Sequence, residues 1–124
     1  MMQPLALLAY ENLIPGGQLV NRLRELGYRI LVLPHATNLA EAAREHTPLV
    51  ILVDLISKST DVPSCIAALR DSPETDHIPI LAFAPLQEPT LHQAARQAGA
   101  TLTAVSDGIL EQLPALMAQA LDVH

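Results

Sequence analysis

Five short apolar runs punctuate the chain, and none of them alternates. They are LALLA at 5–9, ILVL at 30–33, LVILV at 49–53, ILAFA at 80–84 and the weaker TLTAV at 101–105. A strand with one wet face alternates apolar and polar residues. A strand apolar at successive positions is covered on both faces, as in a parallel sheet sandwiched between helices. The segments between the runs carry helical spacing. The first spans about Pro15 to Leu26, with Leu19, Val20, Leu23 and Leu26 on one side and Gly27 as its stop. The second opens at Asn38, with Glu41 at capping-box spacing and Leu39, Ala42 and Ala43 following. The third starts near Pro63 and holds Ile66 and Leu69 before the breaker cluster DSPETDHIP; the fourth, TLHQAARQA, ends at Gly99. The fifth runs from Ile109 to Leu121 through Leu113, Leu116, Met117 and Ala120, with Pro114 early in it. This alternation predicts an α/β fold: a doubly wound five-stranded parallel sheet, order 2-1-3-4-5, with helices on both faces.

At 124 residues the chain is expected to form one domain, 1–124, since two halves could not each bury a core. Half the residues are apolar, which excludes a disordered chain. Seven basic residues against 13 acidic ones, no Trp, two Tyr and one Phe argue against nucleic acid as a partner. Phosphates call for a cationic face, and unpaired bases for aromatic platforms. The opening MMQPLALLAY lacks a basic n-region and is interrupted by Glu11, and no apolar run is long enough to span a bilayer. Cys65 is the only cysteine and cannot form an internal disulfide, so a reducing cytoplasm and no membrane association are expected.

The chain contains no GxxxxGK[ST], GxGxxG or GxSxG motif. Gly16-Gly17 after the first strand could cradle an anion, but a bare glycine pair more simply loosens the entry to a helix. His35, His46, His77, His92 and His124 show no ligand spacing, and Cys65 reads as a small core or boundary residue. Two carboxylates stand out by position. Glu11 lies just past the first strand and Asp54 at the end of the third. With strands one and three adjacent, the two converge in the crevice beyond the carboxyl ends of the strands, where doubly wound folds bind ligands. Together they could hold a hard cation such as Mg²⁺. The plainer reading, that Asp54 caps the next loop and Glu11 is solvated, stays open on the pattern alone.

Several local sequences point further: RELGY at 24–28, VILVDL at 50–55, LRDSPETDHIPILAFAP at 69–85 and AARQAGA at 94–100. In register over about residues 4–122, the chain resembles the receiver domain of bacterial two-component response regulators, a flavodoxin-like fold. That resemblance implies Asp54 as phosphoacceptor. It implies Mg²⁺ held by Asp54, by an acidic pair that here reads Tyr10-Glu11, and by the Ile56 carbonyl. The other positions depart from the pattern. Ala84 stands where a Ser or Thr hydroxyl binds the phosphoryl group, and Ser106 where a Lys pairs with it. Asp107 follows Ser106 in place of Pro, Thr103 replaces a switching aromatic, and Ser57-Lys58 replaces Met–Pro. Lys58, the only lysine, is expected to be a solvated loop residue.

The resemblance therefore implies a degenerate receiver, not an enzyme, that acts by protein–protein interaction and binds Mg²⁺ weakly or not at all. The alternative is a phosphate-accepting regulator in which Asp54 works in an altered site, with at most autocatalytic phosphotransfer. A small flavodoxin-like cofactor binder is more remote, because no phosphate loop follows strand one. The expected partner is a signalling protein, a histidine kinase or another regulator. Leu110 and Leu121 lie well round the fifth helix from Leu116 and Ala120. Part of that broad apolar arc is free to face a partner, and the resemblance to receivers, which commonly dimerise through the face made by the fourth helix, fifth strand and fifth helix, implies a homodimer or a heterologous contact there. With no DNA-binding output domain in these residues, direct control of transcription is not expected.

Overall fold

The structure, a computed structural model, describes residues 3–122. Its elements alternate as the apolar runs require: β1 (Leu5–Ala9), α1 (Leu13–Glu25), β2 (Arg29–Leu33), α2 (Leu39–His46), β3 (Val50–Asp54), α3 (Val62–Arg70), β4 (Ile80–Ala84), α4 (Pro89–Ala98), β5 (Leu102–Val105) and α5 (Ile109–Leu121). The strands form one sheet in the order β2-β1-β3-β4-β5, with every neighbouring pair parallel. Among the described residues, no helix is long and apolar enough to cross a membrane.

Each strand divides its side chains between two cores, which is why its sequence does not alternate. Leu7 and Ala9 of β1, Ile51 and Val53 of β3, and Ile80, Ala82 and Ala84 of β4 face α2, α3 and α4. Their neighbours Ala6, Leu8, Val50, Leu52, Leu81 and Phe83 face α1 and α5. β3 and β4 are buried throughout, whereas the edge strands β2 and β5 are only partly covered. Partial cover explains the polar Thr103 in the weakest run.

The boundaries moved slightly where the apolar reading could not see backbone direction. β3 begins at Val50 and reaches Asp54, because Leu49 ahead of it is exposed. Ile14 is extended, so regular helix geometry in α1 starts at Pro15, as predicted. The capping box at Asn38 is not made. The chain enters α2 through a 3₁₀ turn at Ala36–Asn38, and the Asn38 side chain caps nothing. Pro114 cannot donate to the Leu110 carbonyl one turn back in α5. Arg22 of α1 donates its Nε–H there instead, at 3.4 Å.

Arg70, at the end of α3, organises the amino-terminal edge of the sheet. Its guanidinium donates to the carbonyls of Gly99 (2.9 Å), Asp76 (2.7 Å) and Ile78 (2.9 Å), and to Thr101 Oγ1 (3.3 Å). Gly99 closes α4 at φ 118°, where a Cβ would stand 2.5 Å from Arg70 Cγ. Both the backbone conformation and the arginine stem therefore require glycine there.

The apolar arc of α5 is partly covered within the molecule. Leu110, Leu116 and Leu121 are half-buried against the chain's own core under α1 and α5. Among the described residues, the large apolar side chains left exposed are Leu13, Ile14, Val32, Leu49 and Leu86.

Candidate functional site

A parallel sheet puts all its strand-to-helix loops on one edge, and the adjacency of β1 and β3 opens a crevice between their loops. The cleft has a volume of about 500 Å³ and is lined by loops following β1, β3, β4 and β5. Asp54, Asn12, Ile56 and Ser106 all face it. Among the described residues its charged lining is Asp54, Asp107 and Glu111, with no Lys, Arg or His.

Asp54 closes β3 and is 5% exposed. Its Oδ1 accepts the Ile56 backbone N–H at 2.9 Å, and its Oδ2 accepts Asn12 Nδ2 at 3.1 Å. The same Asn12 nitrogen donates to the Ile56 carbonyl at 3.1 Å. Burial raises the Asp54 pKa and the nearby charge of Glu11 adds to the rise, against the opposing hydrogen bonds from Ile56 and Asn12. Sequence reasoning anticipated the loop-capping bond from Asp54 but missed Asn12. Composition could have flagged an amide beside Glu11, but not which way a loop side chain turns.

Glu11 looks away from Asp54. Its carboxylate accepts the Ser57 hydroxyl and lies 3.6 Å from His35 Nδ1. The Ser57 hydrogen bond leads in lowering the Glu11 pKa, helped by His35 and the Lys58 backbone N–H and resisted by partial desolvation. Tyr10 and Glu11 line a separate recess with Val32, Pro34 and His35. The Tyr10 ring lies over Gly16, leaving no room for a Cβ. Gly16 thus makes room for an aromatic packed on the start of α1, and Tyr10 joins the core beneath it. Lys58 is exposed in its loop and does not line the cleft.

The remaining positions singled out in the sequence lie apart. Ala84 is fully buried, its methyl in the core under α2 to α4. Its carbonyl accepts the Ser106 N–H at 2.9 Å. His92 of α4 places Nε2 at 3.1 Å from the carbonyls of both Ala84 and Pro85. Two carbonyls can only accept, so Nε2 carries the hydrogen and ties α4 to the end of β4. Thr103 Oγ1 accepts Arg96 Nη1 at 2.8 Å, in a groove lined also by Leu86 and His92.

Mg²⁺ demands about six oxygens in near-octahedral array. Here the Asp54 carboxylate and Ile56 carbonyl are already joined by an amide, Glu11 is engaged elsewhere, and Tyr10 supplies no charge. Among the described residues no three His, Cys, Asp or Glu side chains converge as a metal site would need. The residues present do not fit the ion. His35, His46, His77 and His92 are dispersed, and His124 lies outside the described residues. Cys65 is half-buried against the core, and burial, with the Asp61 charge, pushes its thiol pKa up and disfavours the thiolate.

By sequence, the chain matches no protein-family model and no curated protein. By structure, it is similar to a proposed response regulator of Chloroflexus aurantiacus, with TM-score 0.89 and 17% identity over 98% of this chain and 100% of that one. A receiver domain of a Pseudomonas aeruginosa sensor histidine kinase, with magnesium coordinated in its active-site cleft, superposes at TM-score 0.88 and 19% identity. Coverage there is again 98% and 100%. Chemotaxis protein CheY4 of Vibrio cholerae gives TM-score 0.85 and 18% identity over 97% of this chain and 100% of that one. Over nearly its whole length, the chain has the fold of response-regulator receiver domains.

Proposed function

We propose that the chain is a receiver-like signalling module that works by protein–protein contact in the cytoplasm, without a phosphorylation switch at Asp54. One observation carries the reading. The Asp54 oxygens accept hydrogen bonds from Ile56 and Asn12, in a cleft lined by three carboxylates and no cationic side chain. Phosphoryl transfer spreads negative charge over the migrating group, and catalysis consists mostly of placing positive charge and donors around it. A cleft bearing Asp54, Asp107 and Glu111 opposes both the approach of a phosphate donor and the charge of the transition state.

Output would fail as well as input. A modification shifts a population only through contacts that differ between two states. Ala84 has no hydroxyl to follow a phosphoryl group, and Thr103 is held by Arg96. The partner is a signalling protein, a histidine kinase or another regulator. The exposed Leu13 and Ile14 beside the cleft supply apolar surface for such contact.

The test is incubation with a small-molecule phosphodonor and Mg²⁺, followed by intact mass and amide spectra, with beryllofluoride as phosphoryl mimic. The expected result is no adduct and no mimic-dependent change around Asp54, Ala84 and Ser106. A phosphoryl adduct lost in Asp54→Asn would refute the reading and establish Asp54 as a working acceptor.

A further inference from the structure

We infer that the Asn12 side-chain amide does in this protein what a bound divalent cation would do: it joins the Asp54 carboxylate to the Ile56 carbonyl and fastens the loop after β1 to the loop after β3. One nitrogen with two hydrogens reaches two oxygens on the far loop, each at 3.1 Å. Both acceptors are of the oxygen type that hard cations prefer, one anionic and one a backbone dipole. An amide N–H₂ offers them two positive hydrogens without adding net charge, and it gives up its water far more readily than Mg²⁺ does.

A second observation supports the assignment. Asn12 stands just before α1, where a side chain could accept a backbone N–H, but the extended Ile14 delays the regular helix to Pro15 and removes Asn12 from a capping position. It makes no such bond here. The side chain is given to the cross-loop bridge instead. Glu11, the neighbouring carboxylate, is turned to Ser57 and His35 and so leaves the bridge to the amide.

The inference goes beyond the functional reading, because it concerns what replaces the ion rather than whether Asp54 takes a phosphoryl group. It makes Asn12 the residue that decides metal binding. Replacing it by Asp removes the two donors and places a second carboxylate beside Asp54 and the Ile56 carbonyl. The variant then gains a cation site and depends on the ion to hold the loops together.

The experiment titrates Mg²⁺ and Mn²⁺ into wild type, Asn12→Asp and Asn12→Ala, read by thermal melting and amide shifts. Wild type should show no saturable response. Asn12→Asp should melt lower than wild type without metal and rise with the logarithm of Mg²⁺ concentration, as ligand-linked stability does. Its affinity should exceed that of wild type by at least about tenfold. Asn12→Ala should melt roughly 3–6 °C lower than wild type and stay blind to metal. Asn12 is exposed in a loop, so both variants keep the core intact. Three results would each overturn the inference: saturable Mg²⁺ binding by wild type, no metal response from Asn12→Asp, or unchanged melting of Asn12→Ala. Wild-type Mg²⁺ binding without a phosphoryl adduct would sink this inference alone. An adduct on a wild type that binds no free Mg²⁺ would sink only the functional reading.

Discussion

Replacing Asp54 by Asn and by Ala separates a structural carboxylate from a catalytic one. In Asp54→Asn the side-chain carbonyl still accepts the Ile56 N–H, but the charge that strengthens both hydrogen bonds is gone. Bonds to an ionised acceptor contribute about 1.5–3 kcal/mol and neutral ones about 0.5–1.5, so two weakened bonds cost roughly 2–3 kcal/mol. Against this stands the burial of a carboxylate that is 5% exposed. Its raised pKa means that desolvation, with the Glu11 charge, outweighs those bonds in the folded state. The substitution removes that penalty too. The new amide also faces the Asn12 donor, but Asn12 is exposed and can turn to water. The terms nearly cancel, and Asp54→Asn should unfold within about 1 kcal/mol of wild type at pH 7. Asp54→Ala removes both acceptors and leaves the Ile56 N–H unpaired, at a cost of about 1–3 kcal/mol. The pH dependence follows from the raised pKa. Between the unfolded value of 3.8 and the higher folded one, the native state binds more protons, so acidification stabilises it there. Wild type should therefore gain on Asp54→Asn as pH falls through that window, and the difference should be constant above it. Urea denaturation at neutral and mildly acidic pH measures both effects. A loss above about 2 kcal/mol for Asp54→Asn at pH 7, or a gain relative to wild type on acidification, would refute the reasoning.

Other outcomes follow from contacts far from the cleft. Arg70→Met leaves the carbonyls of Ile78 and Gly99 without their side-chain donor and should cost about 3 kcal/mol in urea denaturation. Arg70→Lys should recover less than half of that, because a point charge cannot reach four acceptors in a fork. Arg22→Met orphans the Leu110 carbonyl, whereas Pro114→Ala restores its helical donor. The double variant should then be about 0.5–1 kcal/mol more stable than additivity predicts, as a double-mutant cycle would measure.

How much of this was legible in the sequence depends on what kind of force sets each feature. The sheet was readable because two-sided burial leaves no choice of residue: β3 and β4 are apolar wherever they are covered, and only Asp54, at the cleft, breaks the pattern. The order of strands and the Gly99 stop followed from the same regularity. Features that depend on a single side chain's direction were not readable. Asn38 and Glu41 have capping-box spacing, yet a 3₁₀ turn ahead of the helix puts the cap out of reach. Arg70 looks in sequence like an ordinary basic residue in a last helical turn, and only the folded chain shows its four acceptors. Glu11 and Asp54 were rightly placed at neighbouring strand ends. What their spacing could not reveal is that Ser57 and His35 would draw one away while Asn12 engaged the other.

These separate engagements give the departures a common physical sense. A cation between two loops neutralises carboxylates that would otherwise repel, so a site that loses the ion must disperse or satisfy its negative charge. Glu11 is dispersed, held by a hydroxyl and a histidine in its own recess. Asp54 is satisfied in place by the Ile56 N–H and the Asn12 amide. The position where a further acid would add charge is filled by Tyr10, whose ring packs over Gly16 and covers the start of α1. On the proposed reading, Tyr10, Asn12 and Ser57 work as one replacement. An acid in place of Tyr10 would uncover Gly16 and remove a ring packed against the core. On the proposed reading, a metal site would have to be built through Asn12, the residue that touches both the Asp54 carboxylate and the Ile56 carbonyl and packs against no core.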